Sequence, residues 1–316
     1  MALFYQIMFK ILLVAAILAG CAATEGIKDT DPVSVLNQGI AYAEKDQHDR
    51  SMAYFNKAIE LNPNYAEAYL NRGIAYKRLG QDDQAMADYT KAIELNPNLA
   101  MAYNNRAVVF GQKGQHDQAI ADLTKAIELD PDMPEFYNNR AIAFRKRDQA
   151  DKAIEDCNKA LELNPRSAEA YINRGNAYVT KNHYDKAISD FNKAIELDPM
   201  SADAYFNRGV IYASGKRDYD LAISDISKAI ERNPRLFKAY YSRGLIYDAK
   251  GNYQRAVIDY NRAIEINPKF ANAYAKRGVF YGRIGLTRKF CLDLKKACDL
   301  GSCKYYDIAK NTGACQ

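Results

Sequence analysis

The stretch that decides the fold is AEAYLNRGIAYKRLGQDDQAMADYTKAIELNPNL, residues 66–99, because its pattern returns at a fixed distance along most of the chain. A period of this length indicates one helical unit copied end to end, each copy burying its apolar face against the next. The prolines that mark the period are 34 residues apart, except for one step of 35, and they are Pro63, Pro97, Pro131, Pro165, Pro199, Pro234 and Pro268.

The apolar and small residues of each unit predict two helices. With the proline counted as position 32 of its unit, Tyr69, Gly73 and Tyr76 take positions 4, 8 and 11, and Ala85 and Ala92 take positions 20 and 27. Intervals of three, four and seven residues are those of a helix face. The unit therefore consists of helix A, a short polar turn and helix B. The proline ends helix B because it disfavours helical geometry in the residue before it.

These residues are the signature of the tetratricopeptide repeat, and the chain resembles that family over nearly all of residues 32–304. The resemblance implies an all-α fold, an α-solenoid of about eight helix-turn-helix repeats in a right-handed superhelix, with helix A lining the concave face. A C-terminal cap is expected over 305–316. The resemblance also implies protein or peptide partners rather than catalysis. The predicted repeats are 32–65, 66–99, 100–133, 134–167, 168–201, 202–236, 237–270 and 271–304.

Position 7 is arginine in the second to eighth repeats, whereas the commonest form of the repeat has an aliphatic residue there. The same seven repeats have aspartate at position 23. The first repeat has Gln38 and Tyr54 at positions 7 and 23, so it lacks both of the charges that the other repeats carry. This joint absence indicates that the two charges pair within a repeat, since a guanidinium held by a carboxylate suits partial burial. The alternative is a string of anion-binding sites. The predicted pairs are Arg72 with Asp88, Arg106 with Asp122, Arg140 with Asp156, Arg174 with Asp190, Arg208 with Asp225, Arg243 with Asp259, and Arg277 with Asp293.

The resemblance places a ligand against helix A at positions 2, 5, 9, 12 and 13. Apolar and amide side chains fill positions 5 and 9, and basic pairs stand at positions 12 and 13 of two repeats. We expect a partner segment with apolar anchors and acidic flanks. The alternative is that these side chains only pack between adjacent A helices. The predicted partner-binding residues are Leu36, Leu70, Ile74, Lys77, Arg78, Asn104, Asn138, Arg145, Lys146, Ile172, Asn176, Phe206 and Tyr241.

Residues 1–20 have the features of a secretory signal: Lys10, then the apolar run 11–19, then a small residue. The sequence LAGC at 18–21 resembles the bacterial lipobox, whose cysteine becomes the lipidated first residue of the mature chain. We therefore predict lipidation at Cys21, with residues 21–31 as the lipidated cysteine and a linker. An Ala rather than an Asp at position 22 favours the outer membrane, facing the periplasm, over the inner membrane. An ordinary cleaved signal and an uncleaved anchor helix are the alternatives.

Four cysteines lie close together near the C-terminus: Cys291, Cys298, Cys303 and Cys315. In an exported protein this implies disulfides. We predict a Cys303–Cys315 bond that ties the final segment across the end of the stack. Cys291 and Cys298 lie about 10 Å apart along one helix and cannot bond directly. A second bridge would need one of them to pair elsewhere, or both stay reduced; a zinc site is the alternative.

No catalytic constellation is recognisable. The three histidines, His48, His116 and His183, fall in predicted turns two repeats apart, and no phosphate-binding glycine loop is present. The net charge of +5 is mild for 316 residues and does not indicate nucleic-acid binding.

We therefore predict no enzyme activity, no cofactor, no metal, no nucleic acid and no small-molecule substrate. The predicted function is a lipid-anchored scaffold or adaptor in the bacterial envelope that binds protein or peptide partners. The alternative is a pilotin-like assembly factor for a secretion or pilus machine.

Overall fold

A computed structural model describes residues 27–315, and the predicted signal peptide with Cys21 lies outside the described residues. The described chain is all-α, with seventeen helices that pair as eight helix-turn-helix repeats followed by one C-terminal helix. It divides into two compact units, and the division falls between residues 163 and 164.

The first unit holds four repeats. Within it each A helix contacts its own B helix, each B helix contacts the next A helix, and consecutive A helices contact each other. Its helices are α1 (Pro32–Glu44), α2 (His48–Leu61), α3 (Ala66–Arg78), α4 (Asp82–Leu95), α5 (Ala100–Gln112), α6 (His116–Leu129), α7 (Pro134–Lys146) and α8 (Ala150–Leu163).

The second unit holds four more repeats and a terminal helix that packs on the last B helix. Its helices are α9 (Ala168–Thr180), α10 (Tyr184–Leu197), α11 (Ala202–Ser214), α12 (Tyr219–Arg232), α13 (Phe237–Ala249), α14 (Tyr253–Ile266), α15 (Ala271–Arg283), α16 (Thr287–Asp299) and α17 (Lys304–Asn311).

The turn from helix A to helix B needs a left-handed residue at position 15. Gly80 has φ of +73° there, and Asp148 has φ of +56° at the same position of another repeat. Glycine, aspartate and asparagine tolerate this conformation best. The single step of 35 residues between prolines arises at this turn, because residues 215–218 form a four-residue link between α11 and α12 where other repeats have three.

Close approach of the two helices explains the small residue at position 8. A Cβ atom on Gly73 would lie 2.6 Å from the ring of Tyr89, which is itself buried in α4. The helix pair therefore closes around an aromatic ring that fits only against a glycine.

Two disulfides fix the C-terminal end, and they correct the predicted pairing. Cys291 bonds to Cys315, with 5.5 Å between the Cα atoms, and Cys298 bonds to Cys303. The predicted Cys303–Cys315 bond is wrong because each of these cysteines bonds to a cysteine of α16, and the helix α17, about 12 Å long, lies between them. The remaining described cysteine, Cys157, is buried in α8 outside both bonds.

Candidate partner-binding site

The arginines at position 7 are held in the interface between helices A and B. Arg72 in α3 donates from Nε and Nη2 to the two carboxylate oxygens of Asp88 in α4, at 2.8 and 2.7 Å. The other six predicted pairs have the same two-bond geometry, with distances between 2.7 and 2.9 Å. The seven aspartates are buried, so the charges neutralise each other inside the repeat.

The same guanidinium also joins its repeat to the one before it. Arg72 Nη1 donates to Asn56 Oδ1 in α2 at 2.9 Å, and Arg106 Nη1 donates to Thr90 Oγ1 in α4 at 3.4 Å. In four further repeats a side chain on the preceding B helix accepts the same bond: Thr124 from Arg140, Asn192 from Arg208, Ser227 from Arg243 and Asn261 from Arg277. Sequence reasoning missed this link, although Asn, Ser or Thr stands at the accepting position throughout.

Aromatic rings enclose the guanidinium on its remaining sides. The Arg72 guanidinium carbon lies 5.4 Å from the ring centre of Tyr69 and 5.8 Å from that of Tyr76, at positions 4 and 11. In the next repeat the hydrogen bonds to Asp122 raise the pKa of Arg106 above its ordinary value, against the opposing effect of burial. The charge of the position 7 arginine is thus neutralised by aspartate and its N–H groups are hydrogen-bonded. We infer a structural role for it and not that of an anion-binding site.

The predicted ligand positions divide into a buried set and a half-buried set. Leu36, Leu70, Asn104 and Asn138, at position 5 of the first four repeats, are buried and offer no free side chain. This corrects the expectation of a solvent-facing row. The reason is visible at Leu36, which shares one core cluster with Ala68 and Ala75 of the next A helix. In the first four repeats position 5 therefore packs one A helix on the next, which was the alternative interpretation.

Position 9 of the first unit stays accessible. Ile74, Val108 and Ile142 are half-buried on three consecutive A helices, α3, α5 and α7. In the second unit three predicted residues are also half-buried: Asn176 at position 9, and Ile172 and Phe206 at position 5. Partly open apolar side chains in a row form a surface that a partner could bury.

Tyr241 takes position 5 of the seventh repeat and belongs to an aromatic cluster. Its ring centre lies 4.9 Å from that of Phe270 in an edge-to-face arrangement, and Phe237 packs on Phe270 at the same distance. Burial raises the pKa of Tyr241. Packing therefore accounts for this ring.

The predicted cations differ in how far they are engaged. Lys77 donates to Asp82 at 2.9 Å and to Gln112, and Arg78 donates to the carbonyl oxygen of Ala43 at 3.2 Å. Burial lowers the pKa of Arg145, and its buried Nε lacks a hydrogen-bond partner in the part of the chain that the structure describes. Lys146 is exposed and forms no ion pair with any residue between 27 and 315.

A row of asparagines runs beside the position 9 residues and was not singled out from the sequence. Position 6 is Asn37, Asn71, Asn105 and Asn139 on the four A helices of the first unit. Asn71 donates to the carbonyl oxygen of Glu67 at 2.8 Å, and Asn139 donates to Asn104 Oδ1 at 2.9 Å. Asn105 Oδ1 accepts from Asn104 Nδ2 at 3.2 Å. We call positions 6, 9, 12 and 13 of the A helices the A-helix face.

A pocket opens on this face between α5, α6 and α7, with a volume of about 230 Å³. Its floor is apolar and includes Val108, Leu123 and Ile142. Lys146 and His116 stand at its edge, and His116 is the first residue of α6 rather than part of the turn. It is the place where predicted positions 9 and 13 meet in one cavity.

The described residues contain no group of three or more His, Cys, Asp or Glu side chains placed to hold a metal ion. Between residues 27 and 315, every helix is too short or too polar to cross a bilayer.

The fold defines a class of protein: a stack of helical hairpins in which each repeat packs on the next. Tetratricopeptide repeat models match residues 66–99, 100–133, 134–167 and 237–270, and related repeat models match 39–80, 157–189, 175–215 and 202–236. The matches leave no gap between residues 39 and 270. The chain belongs to the tetratricopeptide repeat family, whose members are scaffolds for protein or peptide binding and typically not enzymes.

Solved structures share this architecture. The chain is 18% identical to the human IFIT1 dimer with m7Gppp-AAAA, with a TM-score of 0.68, covering 90% of this chain and 72% of that one. It is 18% identical to Pseudomonas aeruginosa pilF, with a TM-score of 0.56, covering 64% and 92%. At these identities the likeness concerns the fold alone. YrrB, a TPR protein with an unusual peptide-binding site, is 30% identical over 60% of this chain and 97% of its own, with a TM-score of 0.47. No curated protein sequence matches significantly.

Proposed function

We propose that this protein is a lipid-anchored adaptor of the bacterial envelope whose A-helix face binds extended segments of partner proteins. The observation that carries the binding proposal is the half-buried row of Ile74, Val108 and Ile142, flanked by asparagines. Apolar side chains give affinity by burial, and amide groups can pair with the backbone of an extended segment. Repeated at each A helix of the first unit, the two groups suit a chain rather than a compact ligand.

The anchor is proposed from the sequence. Cys21 ends an apolar run in the lipobox-like sequence LAGC, and ten residues separate it from the helix that begins at Pro32. A linker of that length spans at most about 35 Å, so the repeats would work close to the membrane surface. Several acyl chains on one cysteine give stable anchoring, which a single chain does not. The absence of Asp after Cys21 supports the outer membrane, facing the periplasm.

The anchor is tested by metabolic labelling with an alkyne analogue of palmitate and by membrane fractionation. We expect the wild type to take up the label and to sediment with the outer membrane, and Cys21→Ser to lose both properties. Cys157→Ser is the matched control, since this thiol is buried in α8. A wild-type protein that stays unlabelled would contradict the anchor without touching the binding proposal.

Partner binding is tested by chemical crosslinking in intact cells, followed by affinity purification and mass spectrometry. We expect several partners at low stoichiometry, as for an adaptor. One membrane complex at fixed stoichiometry would instead favour the assembly-factor alternative. The control is a variant with Ile74, Val108 and Ile142 changed to Ser, which should release the partners while circular dichroism shows an unchanged helix content.

A further inference from the structure

Gly111, at position 12 of α5, differs from the other helical glycines of the first unit. A Cβ atom built on Gly111 meets nothing within 4 Å, whereas one on Gly73 would strike the Tyr89 ring at 2.6 Å. Its φ is not in the left-handed region, so no turn requires it either. A helical glycine lowers stability relative to alanine. Neither helix packing nor backbone geometry therefore explains why position 111 is glycine.

The missing side chain keeps the pocket open. Position 12 of the neighbouring A helices is Lys77 in α3 and Arg145 in α7, both of which have long side chains. Gly111 lines the pocket between α5, α6 and α7, above the apolar floor formed by Val108, Leu123 and Ile142. A long side chain at position 111 would occupy the space that the pocket offers.

The edge of the pocket is positively charged. Lys146 lines it, and no aspartate or glutamate does. The carboxylates on the nearby helix starts already have partners: Asp82 accepts from Lys77 at 2.9 Å, Asp83 from Lys113 at 2.5 Å, and Asp117 pairs with Arg147 at 2.9 Å. A carboxylate is thus the group that complements Lys146.

We propose that this pocket, the Gly111 pocket, binds one large apolar side chain of a partner peptide, and that Lys146 binds a carboxylate beside that anchor residue. The occupant is a segment with Leu, Met or Phe next to Asp, Glu or a free C-terminus. This inference rests on the proposed function and makes it more specific. It names the apolar and acidic groups that the A-helix face of the third and fourth repeats would bind.

The test uses a displayed library of short random peptides selected on residues 22–316. We expect the selected peptides to share an apolar residue adjacent to an acidic one. Gly111→Arg should raise the Kd of a selected peptide at least about tenfold, since burying one large apolar side chain contributes at least the free energy of a tenfold change in Kd. Gly111→Arg should still fold, because a Cβ atom at this position meets nothing within 4 Å.

The charge is tested with Lys146→Glu against Lys125→Glu, which makes the same charge change on the far side of α6. We expect Lys146→Glu alone to weaken the acidic peptide, and a peptide with Lys in place of the acid to regain affinity for Lys146→Glu. Equal binding by wild type and Gly111→Arg would overturn the Gly111 pocket and leave the proposed function intact. Failure to select any peptide would overturn both.

Discussion

Positions 7 and 12 lie five residues apart on the same A helices and follow opposite rules. Position 7 is arginine in seven repeats and makes the same paired bonds to aspartate each time. Position 12 is Lys77, Gly111 and Arg145 on three consecutive A helices. Position 7 is constant because its arginine holds the repeats together. Position 12 varies, and we propose that it lies on the face that meets partners.

The first repeat sharpens the comparison. Its position 7 is Gln38, which donates to Asp29 Oδ2 at 3.1 Å, and its Tyr54 packs on Tyr42 with ring centres 5.1 Å apart. Arginine and aspartate are thus missing together in this repeat, as expected for two side chains that pair within a repeat.

The largest effect is expected from Asp88→Ala. The change leaves the Arg72 guanidinium without its carboxylate between α3 and α4, so we expect a loss of about 3 kcal/mol in the free energy of unfolding. Urea denaturation followed by circular dichroism measures it. Asp83→Ala in the same helix is the control, since its carboxylate is 92% exposed and solvent screens its pair with Lys113, so the loss should be much smaller. Equal losses would show that position 23 is not special.

Two glycine changes should have opposite signs. Gly73→Ala places a Cβ against the Tyr89 ring and should destabilise the protein by about 1–3 kcal/mol. Gly111→Ala meets open space and should stabilise it by about 0.5 kcal/mol through helix propensity. Thermal melting curves of the two variants compare the faces directly. Destabilisation by Gly111→Ala would remove the distinction between a packing glycine and an open one.

The sequence predicted the periodic part of the molecule well and the singular part poorly. The 34-residue period and the prolines predict the seventeen described helices and their pairing, because the same pattern of residues recurs in each repeat. The four buried position 5 residues were misjudged, since a single repeat does not reveal which side chains the next A helix covers. The disulfides were misassigned because the length of α17, which separates Cys303 from Cys315, was not weighed. The pocket depends on a missing side chain, which no pattern marks.

A double replacement should recover part of the loss at the ion pair. In Arg72→Met with Asp88→Leu both buried charges are gone, and we expect a net cost under about 1.5 kcal/mol, smaller than that of Asp88→Ala alone. A double-mutant cycle in the same denaturant gives the coupling energy. Additive losses would mean that the two side chains act independently.

A smaller effect is expected at the bond between repeats. Asn56→Ala removes the acceptor of Arg72 Nη1 and should cost about 1 kcal/mol, since the arginine keeps both bonds to Asp88. Hydrogen exchange should show faster opening between the first and second repeats. In an Arg72→Met background the same change should be nearly silent, and an undiminished cost there would contradict the link.

The central claim is that partners meet the A-helix face and not the B helices. The direct measurement places the photocrosslinking residue benzoylphenylalanine at Ile74, Val108 or Ile142, and in parallel at Lys91, Lys125 or Lys159, which lie exposed on the B helices of the same repeats. After irradiation of living cells, we predict covalent protein adducts from the A-helix positions and few from the B-helix positions. Adducts that form equally from both sets, or only from the B helices, would contradict the account.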